Sequence, residues 1–277
     1  MCQSGVVLEC VINISEGRNI DILHQLADGC ADDLLDVHVD ADHNRSVYTL
    51  IGIAAPRRLT KLAVQLLQLD THQGVHPRFG VVDVVPFIAL DESTMHDAIL
   101  ARDEFARWAS SEFSVPCFVY GTERSLPDIR RDAWTNLQPQ YGPSAPHLTA
   151  GAICVGARDL LAAYNVWLTT KTSEKDARSI AQSVRGDGIR TLALRVRNHW
   201  QISMNLLEPG RVGPDIATDR VIHFAKQINV EIERCELVGL ISQNALNKIS
   251  QQRWEELDLS AERTIEFRRQ HGYTFTA

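Results

Sequence analysis

The segment Thr71-His72-Gln73-Gly74-Val75-His76-Pro77-Arg78-Phe79-Gly80 gathers two imidazoles and a guanidinium in one short stretch. An imidazole titrates near pH ~6.5, so His76 suits a base that takes and returns a proton at neutral pH. Pro77 keeps the residue before it extended, which restricts the backbone presenting the ring. Arg78 offers a planar set of donors to a carboxylate. The same residues also read as an ordinary loop whose histidine is bonded to backbone. His72 and His76 could ligate a metal from one helix face. Gly74 and Pro77 break that helix, and no Glu stands in the His-Glu-x-x-His position, so no metal is expected.

A second polar concentration is Asp36-Val37-His38-Val39-Asp40-Ala41-Asp42-His43-Asn44-Arg45. Strand alternation puts Asp36, His38 and Asp40 on one face. Asp40-x-Asp42-x-Asn44 mimics the start of a calcium loop. Arg45 stands where that loop needs Gly and Ile51 where it needs Glu, so the calcium reading fails. What remains is either a solvated hairpin end or a polar face that lines a substrate cleft with Arg45. A third segment, Tyr141-Gly142-Pro143-Ser144-Ala145-Pro146-His147-Leu148-Thr149-Ala150-Gly151, reads as a shaped loop with free backbone donors or as a plain connection. Gly151-Ala152-Ile153-Cys154-Val155-Gly156 lacks the Gly-Lys-Ser/Thr ending of a phosphate loop. No Gly-x-Ser-x-Gly elbow and no cysteine nucleophile motif occurs.

The elements that must position these segments follow from hydrophobic period and turn signals. Strands are expected over residues 6–13, 34–41, 46–53, 81–90 and 115–120, and helices over 19–32 and 93–113. Another helix opens at Pro56, with Leu59, Leu62, Ala63, Leu66 and Leu67 on one face. Residues 123–150 read as ordered but irregular, and 153–168 as a hairpin turning at Gly156-Ala157-Arg158-Asp159. Then come a helix over 174–185, strands over 191–197 and 200–207, a helix over 214–228, a strand over 236–241, and terminal helices. With the strand near 160–168 counted first, this part has the strand-helix-strand-strand-helix-strand order of residues 6–90. The expected class is therefore α/β (α+β), with two ferredoxin-like split βαβ subdomains and helices packed on mostly antiparallel sheets. The boundary is expected near Thr169-Thr170-Lys171-Thr172, giving subdomains 1–170 and 171–277.

The chain has 277 residues, 44% of them hydrophobic, enough for two modest cores. With 28 Lys plus Arg against 35 Asp plus Glu, the net charge is −7, which argues against nucleic acid as a partner. Met1-Cys2-Gln3-Ser4-Gly5 lacks the basic start of a secretory signal, and no apolar run is long enough for a membrane helix. The six cysteines are scattered, with no Cys-x-x-Cys pair. Together these lead to the expectation of a cytoplasmic protein with reduced thiols.

Taken in order, four segments resemble the formiminotransferase domain of the glutamate formimidoyltransferase and formimidoyltransferase-cyclodeaminase family. They are Glu9-Cys10-Val11-Ile12-Asn13-Ile14-Ser15-Glu16-Gly17-Arg18-Asn19, Asp42-His43-Asn44-Arg45-Ser46-Val47-Tyr48-Thr49, Val75-His76-Pro77-Arg78-Phe79-Gly80-Val81-Val82-Asp83-Val84-Val85-Pro86-Phe87, and Tyr141-Gly142-Pro143-Ser144. The likeness runs through about residues 6–168 and continues more weakly to Leu240. A cyclodeaminase domain is not expected. The resemblance implies two α/β subdomains with a groove between them, a homodimer, and transfer of a formimino group from N-formimino-L-glutamate to N5 of tetrahydrofolate. It makes tetrahydrofolate the co-substrate and needs no metal. It places the catalytic histidine on His76 and substrate contacts on Arg78, with Arg45 and Asn44 beside them. The family's acidic residue on the second strand falls on His38 or on the nearby Asp40. The folate loop matches Gly142, Pro143, Ser144, Ala145, Pro146, His147, Leu148, Thr149, Ala150 and Gly151.

This sequence departs from the family at Ile12 and Ile14, in the non-aromatic 145–150 loop, and in a tail with Trp254, Phe267 and Arg268-Arg269. The departures keep two other readings in play. One is formyl exchange between glutamate and 5-formyl-tetrahydrofolate, and the other is a folate-binding protein without catalysis.

Overall fold

The computed structural model describes residues 5–74 and 78–276. Two compact units emerge, Met1–Asp159 with Tyr273–Ala277, and Leu160–Gly272. The expected boundary near Thr169 to Thr172 falls inside the second unit.

The first unit begins with β1 (Val7–Ile14), α1 (Ile20–Asp28), β2 (Leu34–Asp40), β3 (Arg45–Ile51), α2 (Ala54–Leu66) and β4 (Val82–Leu90). It continues with α3 (Met95–Phe113), β5 (Cys117–Tyr120), α4 (Leu126–Asp132) and β6 (Ile153–Ala157). Its six-stranded sheet runs β2-β3-β1-β4-β6-β5. The first four strands are antiparallel in the ferredoxin-like order, and β6 extends the sheet by pairing parallel to β4 and β5. β6 therefore does not form the hairpin expected over 153–168. The residues after it lead to a strand of the other sheet; of the Gly156-Ala157-Arg158-Asp159 stretch that mimics a hairpin turn, Gly156 and Ala157 end β6, and the division between units follows Asp159.

Alternation along β4, β5 and β6 divides their side chains between two faces. Val85, Phe87, Val119 and Val155 join the main core with residues of α1, α2 and α3. Val84, Phe118, Tyr120 and Cys154 form a smaller core with Ile129 of α4. Ile129 and α4 lie in what the sequence suggests is an irregular segment, residues 123–150. Ser125 and Asp128 close a capping box at the start of α4, and Pro127 sits in its first turn.

The second unit contains β7 (Ala162–Leu168), α5 (Glu174–Val184), β8 (Ile189–Val196), β9 (His199–Leu206), α6 (Pro214–Gln227) and β10 (Ile232–Val238). Its antiparallel sheet has the order β10-β7-β9-β8, again ferredoxin-like. Tyr164, Val166, Ile202 and Met204 pack with Ile180, Ala217 and Val221 in a separate core. α7 (Gln243–Leu246) and α8 (Ile265–His271) follow. Among the described residues no helix is long and apolar enough to cross a membrane.

Candidate functional site

Four segments distant in sequence converge in the first unit. The β1–β4 ladder has a bulge between Asn13 and Ile14, and such a bulge re-aims the strand end. Just beyond it, the Ser15 N–H donates to Val81 O at 2.8 Å and its hydroxyl to Gly80 O at 2.8 Å. Gly17 N–H donates to Asn44 Oδ1 at 3.0 Å, while Asn44 Nδ2 donates to Gln73 O at 2.9 Å. Asn44 holds the turn's left-handed backbone at φ 48°, which Asn tolerates better than most residues. Its carbonyl also lies 2.8 Å from His72 Nε2. One asparagine thus joins the N-terminal loop, the β2–β3 turn and the loop leading to His76.

The fourth segment docks on the other side of that loop. Leu69 N–H donates to Thr149 O at 2.7 Å, Val81 N–H to Ala150 O at 3.0 Å, and Ala152 N–H to Phe79 O at 3.0 Å. Gly80 and Gly151 form an isolated bridge. Gly151 has φ 72°, and a Cβ there would collide with the Phe79 carbonyl oxygen, so the approach requires glycine. Within the 142–151 loop, His147 Nδ1 accepts from Ala150 N at 3.0 Å and Thr149 N at 3.3 Å. An accepting Nδ1 leaves the proton of the neutral ring on Nε2.

Charge is concentrated behind these loops. Asp83 is buried on β4, where its Oδ1 accepts from Phe79 N at 2.7 Å and its Oδ2 from Arg130 Nη2 at 2.7 Å. Arg130 also lies 5.2 Å over the Phe79 ring. Burial pulls the Arg45 guanidinium below its ordinary value, with the Asp83 carboxylate opposing that shift and Arg130 adding to it. Burial lowers Arg78 as well, again opposed by Asp83. Three guanidiniums therefore share the field of one buried carboxylate. His72 is also lowered, first by burial and also by Arg78 nearby, with the bond to Asn44 opposing.

In front of this cluster lies a pocket of about 410 Å³ lined by Leu69, Asp70, Arg78, Phe79, Trp134, Pro146, His147, Leu148 and Gly151. Its lining thus joins the loop after α2, the residues beyond His76, the end of α4 and the 142–151 loop.

A family model for the formiminotransferase domain, N-terminal subdomain, matches residues 7–158, almost the whole of the first unit. The chain belongs to the formiminotransferase family. Glutamate formimidoyltransferase of Thermoplasma acidophilum is 32% identical over 276 residues, 87% of this chain and 89% of the relative. The protein of the same name from Streptococcus pyogenes is 29% identical, over 88% and 92%. Formimidoyltransferase-cyclodeaminase of Dictyostelium discoideum is 30% identical over 87% of this chain, which spans 51% of that longer protein.

Within this formiminotransferase framework the predicted residues fall into distinct places. Val75, His76 and Pro77 lie outside the described residues. Arg78 donates to His72 O at 2.6 Å and to Gly74 O at 3.2 Å, bracing the segment that leads into His76. Asp40 Oδ1 accepts from the N–H groups of Asp42 and His43 at 2.8 Å each, closing the β2–β3 turn. Arg45 opens β3 and faces the Asp83 field, while His38 is half-buried on β2 opposite Val47. Of the 142–151 loop, Pro146, His147, Leu148 and Gly151 reach the pocket, whereas Gly142 at φ 91° packs toward Ser110 and Val115.

Sequence reasoning overlooks Asp83, Arg130, Asp70 and Trp134. A lone carboxylate in the run Val81-Val82-Asp83-Val84-Val85 is itself a signal, because Asp is seldom fully buried unless paired. The capping box at Ser125 would have exposed α4 and with it Arg130. Neither Asp70 nor Trp134 carries a local signal.

Proposed function

We propose that this protein is a glutamate formimidoyltransferase that moves the formimino group of N-formimino-L-glutamate to N5 of tetrahydrofolate, as part of histidine degradation and one-carbon metabolism. The observation that carries this reading is the docking of the 142–151 loop on the backbone just after His76, sealed by the Gly80–Gly151 bridge. It sets the loop that matches the family's folate segment against Phe79, Gly80 and Val81, which follow the segment that matches the family's base. The Arg45, Arg78 and Arg130 cluster supports it further, since N-formimino-L-glutamate carries two carboxylates that guanidiniums bind by charge-assisted hydrogen bonds.

In this mechanism His76 accepts the proton that N5 loses as it bonds to the formimino carbon, so the adduct does not revert. The same imidazolium then protonates the departing glutamate nitrogen, and the ring ends as it began. Arg78 holds the approach to His76 through the His72 and Gly74 carbonyls and brings its guanidinium charge to the substrate. Arg45 contributes charge, and Asp40 and Asn44 keep the β2–β3 turn in place. Aligning two bound substrates supplies a larger share of the rate than the proton transfer does.

The test is an assay of purified protein with tetrahydrofolate and N-formimino-L-glutamate, run beside 5-formyl-tetrahydrofolate and glutamate. Formimino transfer is expected, and formyl exchange alone would replace the reading. His76→Ala is expected to keep the fold and lose about 10²- to 10⁴-fold in turnover, the usual worth of acid–base help. Wild-type turnover in that variant would remove His76 from its role. A cytoplasmic homodimer belongs to the same proposal, and light scattering that finds a monomer would overturn its oligomeric part.

A further inference from the structure

His72 is a titratable side chain of the loop after α2 that has no part in the mechanism above. Its Nε2 lies 2.8 Å from the Asn44 carbonyl oxygen, which can only accept, so Nε2 carries a proton. Among the described residues its Nδ1 is shut away from solvent and meets no hydrogen-bond partner. The ring therefore sits as the neutral Nε2–H tautomer, because a second proton would put a buried, charged and unsatisfied N–H on Nδ1. Surrounding charge acts in both directions. Burial lowers the ring from the ordinary imidazole value of 6.5, the bond to Asn44 opposes that, Arg78 adds to it, Glu16 opposes it and Arg18 adds again. Arg78 stands on the ring's own loop, and Glu16 and Arg18 on the loop after β1. On the β2–β3 turn, Asp40 and His43 face each other at 3.7 Å.

The segment leading into His76 is fastened at each residue from 72 to 74. Arg78 donates to the His72 and Gly74 carbonyls at 2.6 and 3.2 Å, and Asn44 Nδ2 donates to the Gln73 carbonyl at 2.9 Å. Gly74 lies so close to the His43 carbonyl oxygen that a Cβ there would collide with it. The His72 ring adds the return bond from this segment to the turn. Guanidinium and amide donors keep their protons across the neutral range, whereas the imidazole can change state. The His72 side chain is part-exposed. On taking a second proton it can swing toward water, where the Nδ1–H finds a partner, and the Asn44 carbonyl is released. Resting on the function proposed above, we propose that His72 is a positioning residue for the proton transfer at His76: its neutral Nε2–H form ties the β2–β3 turn to the segment that presents the base, and protonation of Nδ1 breaks that tie. A shift of about 1 Å in a reacting group can cost about 10²-fold in rate, so one such bond matters to turnover.

The test compares full-length wild type, His72→Gln and His72→Asn in formimino-transfer kinetics across the pH range about 5 to 8 in which imidazoles titrate. The ring is followed by imidazole nitrogen NMR shifts, assigned by the signal that His72→Gln lacks. The amide nitrogen of Gln can stand where Nε2 stands and does not titrate. That of Asn stands near the place of Nδ1 and does not reach the carbonyl. NMR is expected to show the neutral Nε2–H ring at neutral pH, taking up its second proton only below the ordinary imidazole value. His72→Asn is expected to lower kcat about ten- to a hundredfold with both KM values near wild type, and His72→Gln to recover most of that turnover. As the pH falls below 6.5, wild-type kcat should drop more steeply than that of His72→Gln, because only wild type loses the tie to Asn44 there.

If wild type transfers the formimino group but His72→Asn matches its kcat, or His72→Gln does no better than His72→Asn, the positioning role is overturned and the function stands. A ring found in the Nδ1–H form, or charged at neutral pH, overturns the role as well. If wild type does not transfer, the function fails and takes the role with it. Should His72→Asn fail to fold, the tautomer and the steepness of the acid limb in wild type against His72→Gln decide the matter, and parallel limbs overturn the role.

Discussion

The Phe79 N–H and the Arg130 guanidinium both end on the Asp83 carboxylate, which is only 2% exposed. An ionised carboxylate so deep in a sheet is tolerable only when paired and hydrogen-bonded. The pairing has a consequence for the loop, because the Phe79 amide lies three residues beyond His76. Asp83 thus fixes the backbone that follows the His76 segment, while Arg78 braces the carbonyls that precede it. Asp83→Asn preserves the shape of the side chain and removes its charge, leaving Arg45, Arg78 and Arg130 without their shared counter-charge. Breaking one partner of a buried pair typically costs about 3–5 kcal/mol, and a loss of that order is expected in denaturant melts. Turnover should fall in parallel as the loop loosens. A variant whose stability lies within about 1 kcal/mol of wild type would show that Phe79 and Arg130 are held by something else.

Arg102 does for α3 and α4 what Asp83 does for the loop. It is 2% exposed on α3, and it donates to both Glu123 oxygens at 2.8 and 2.9 Å and to Tyr120 O at 3.2 Å. Those bonds fasten α3 to the end of β5 and to the turn that opens α4, the element leading to Arg130 and Trp134. The Arg102 hydrogen bonds hold the Glu123 carboxyl down from its ordinary 4.5 to about 2. A carboxyl depressed by folding stays ionised in the native chain while the unfolded chain takes up protons. Its stabilisation is therefore complete above about 4.5 and drains away as the pH falls toward about 2. In urea melts across that window, wild type is expected to lose more stability than Glu123→Gln, and parallel curves would contradict the account. Periodicity in the sequence reveals both βαββαβ runs, since each rests on amphipathic strands and helices that announce their buried faces. It fails at β6 and β7, because two apolar runs joined by a turn-like tetrapeptide look alike whether they pair with each other or with different sheets. It also fails at α4, whose seven residues show too little period and are betrayed only by the cap. Asn44 and Gly151 draw attention as turn formers, yet their roles depend on partners tens of residues away. No local pattern encodes such partners.

Two ferredoxin-like units with separate cores would be expected to respond independently to damage, and the end of the chain offers a way to test that. Tyr273 to Thr276 are counted with the first unit although every residue from Leu160 to Gly272 belongs to the second. Tyr273 and Phe275 pack against the core under β1 and α1, and the Phe275 ring lies 4.9 Å from the ring of His24 on α1. Residues 273–276 are thus a strap on the unit that contains the candidate site, although they follow the second unit in the chain. Removing them strips two half-buried aromatic side chains from the first core and none from the second. Partial burial of two such rings accounts for about 1–3 kcal/mol. A chain ending at Gly272 should consequently exchange the α1 amides of Leu23, Leu26 and Ala27 faster, while the α5 and α6 amides keep their protection. Equal acceleration in both units would mean that they unfold as one body, and unchanged exchange in α1 would mean that the strap holds nothing. If α1 alone loosens, the stability of the Ser15–Asn19 loop, and through Gly17 and Asn44 that of the approach to His76, depends on the final residues of the sequence.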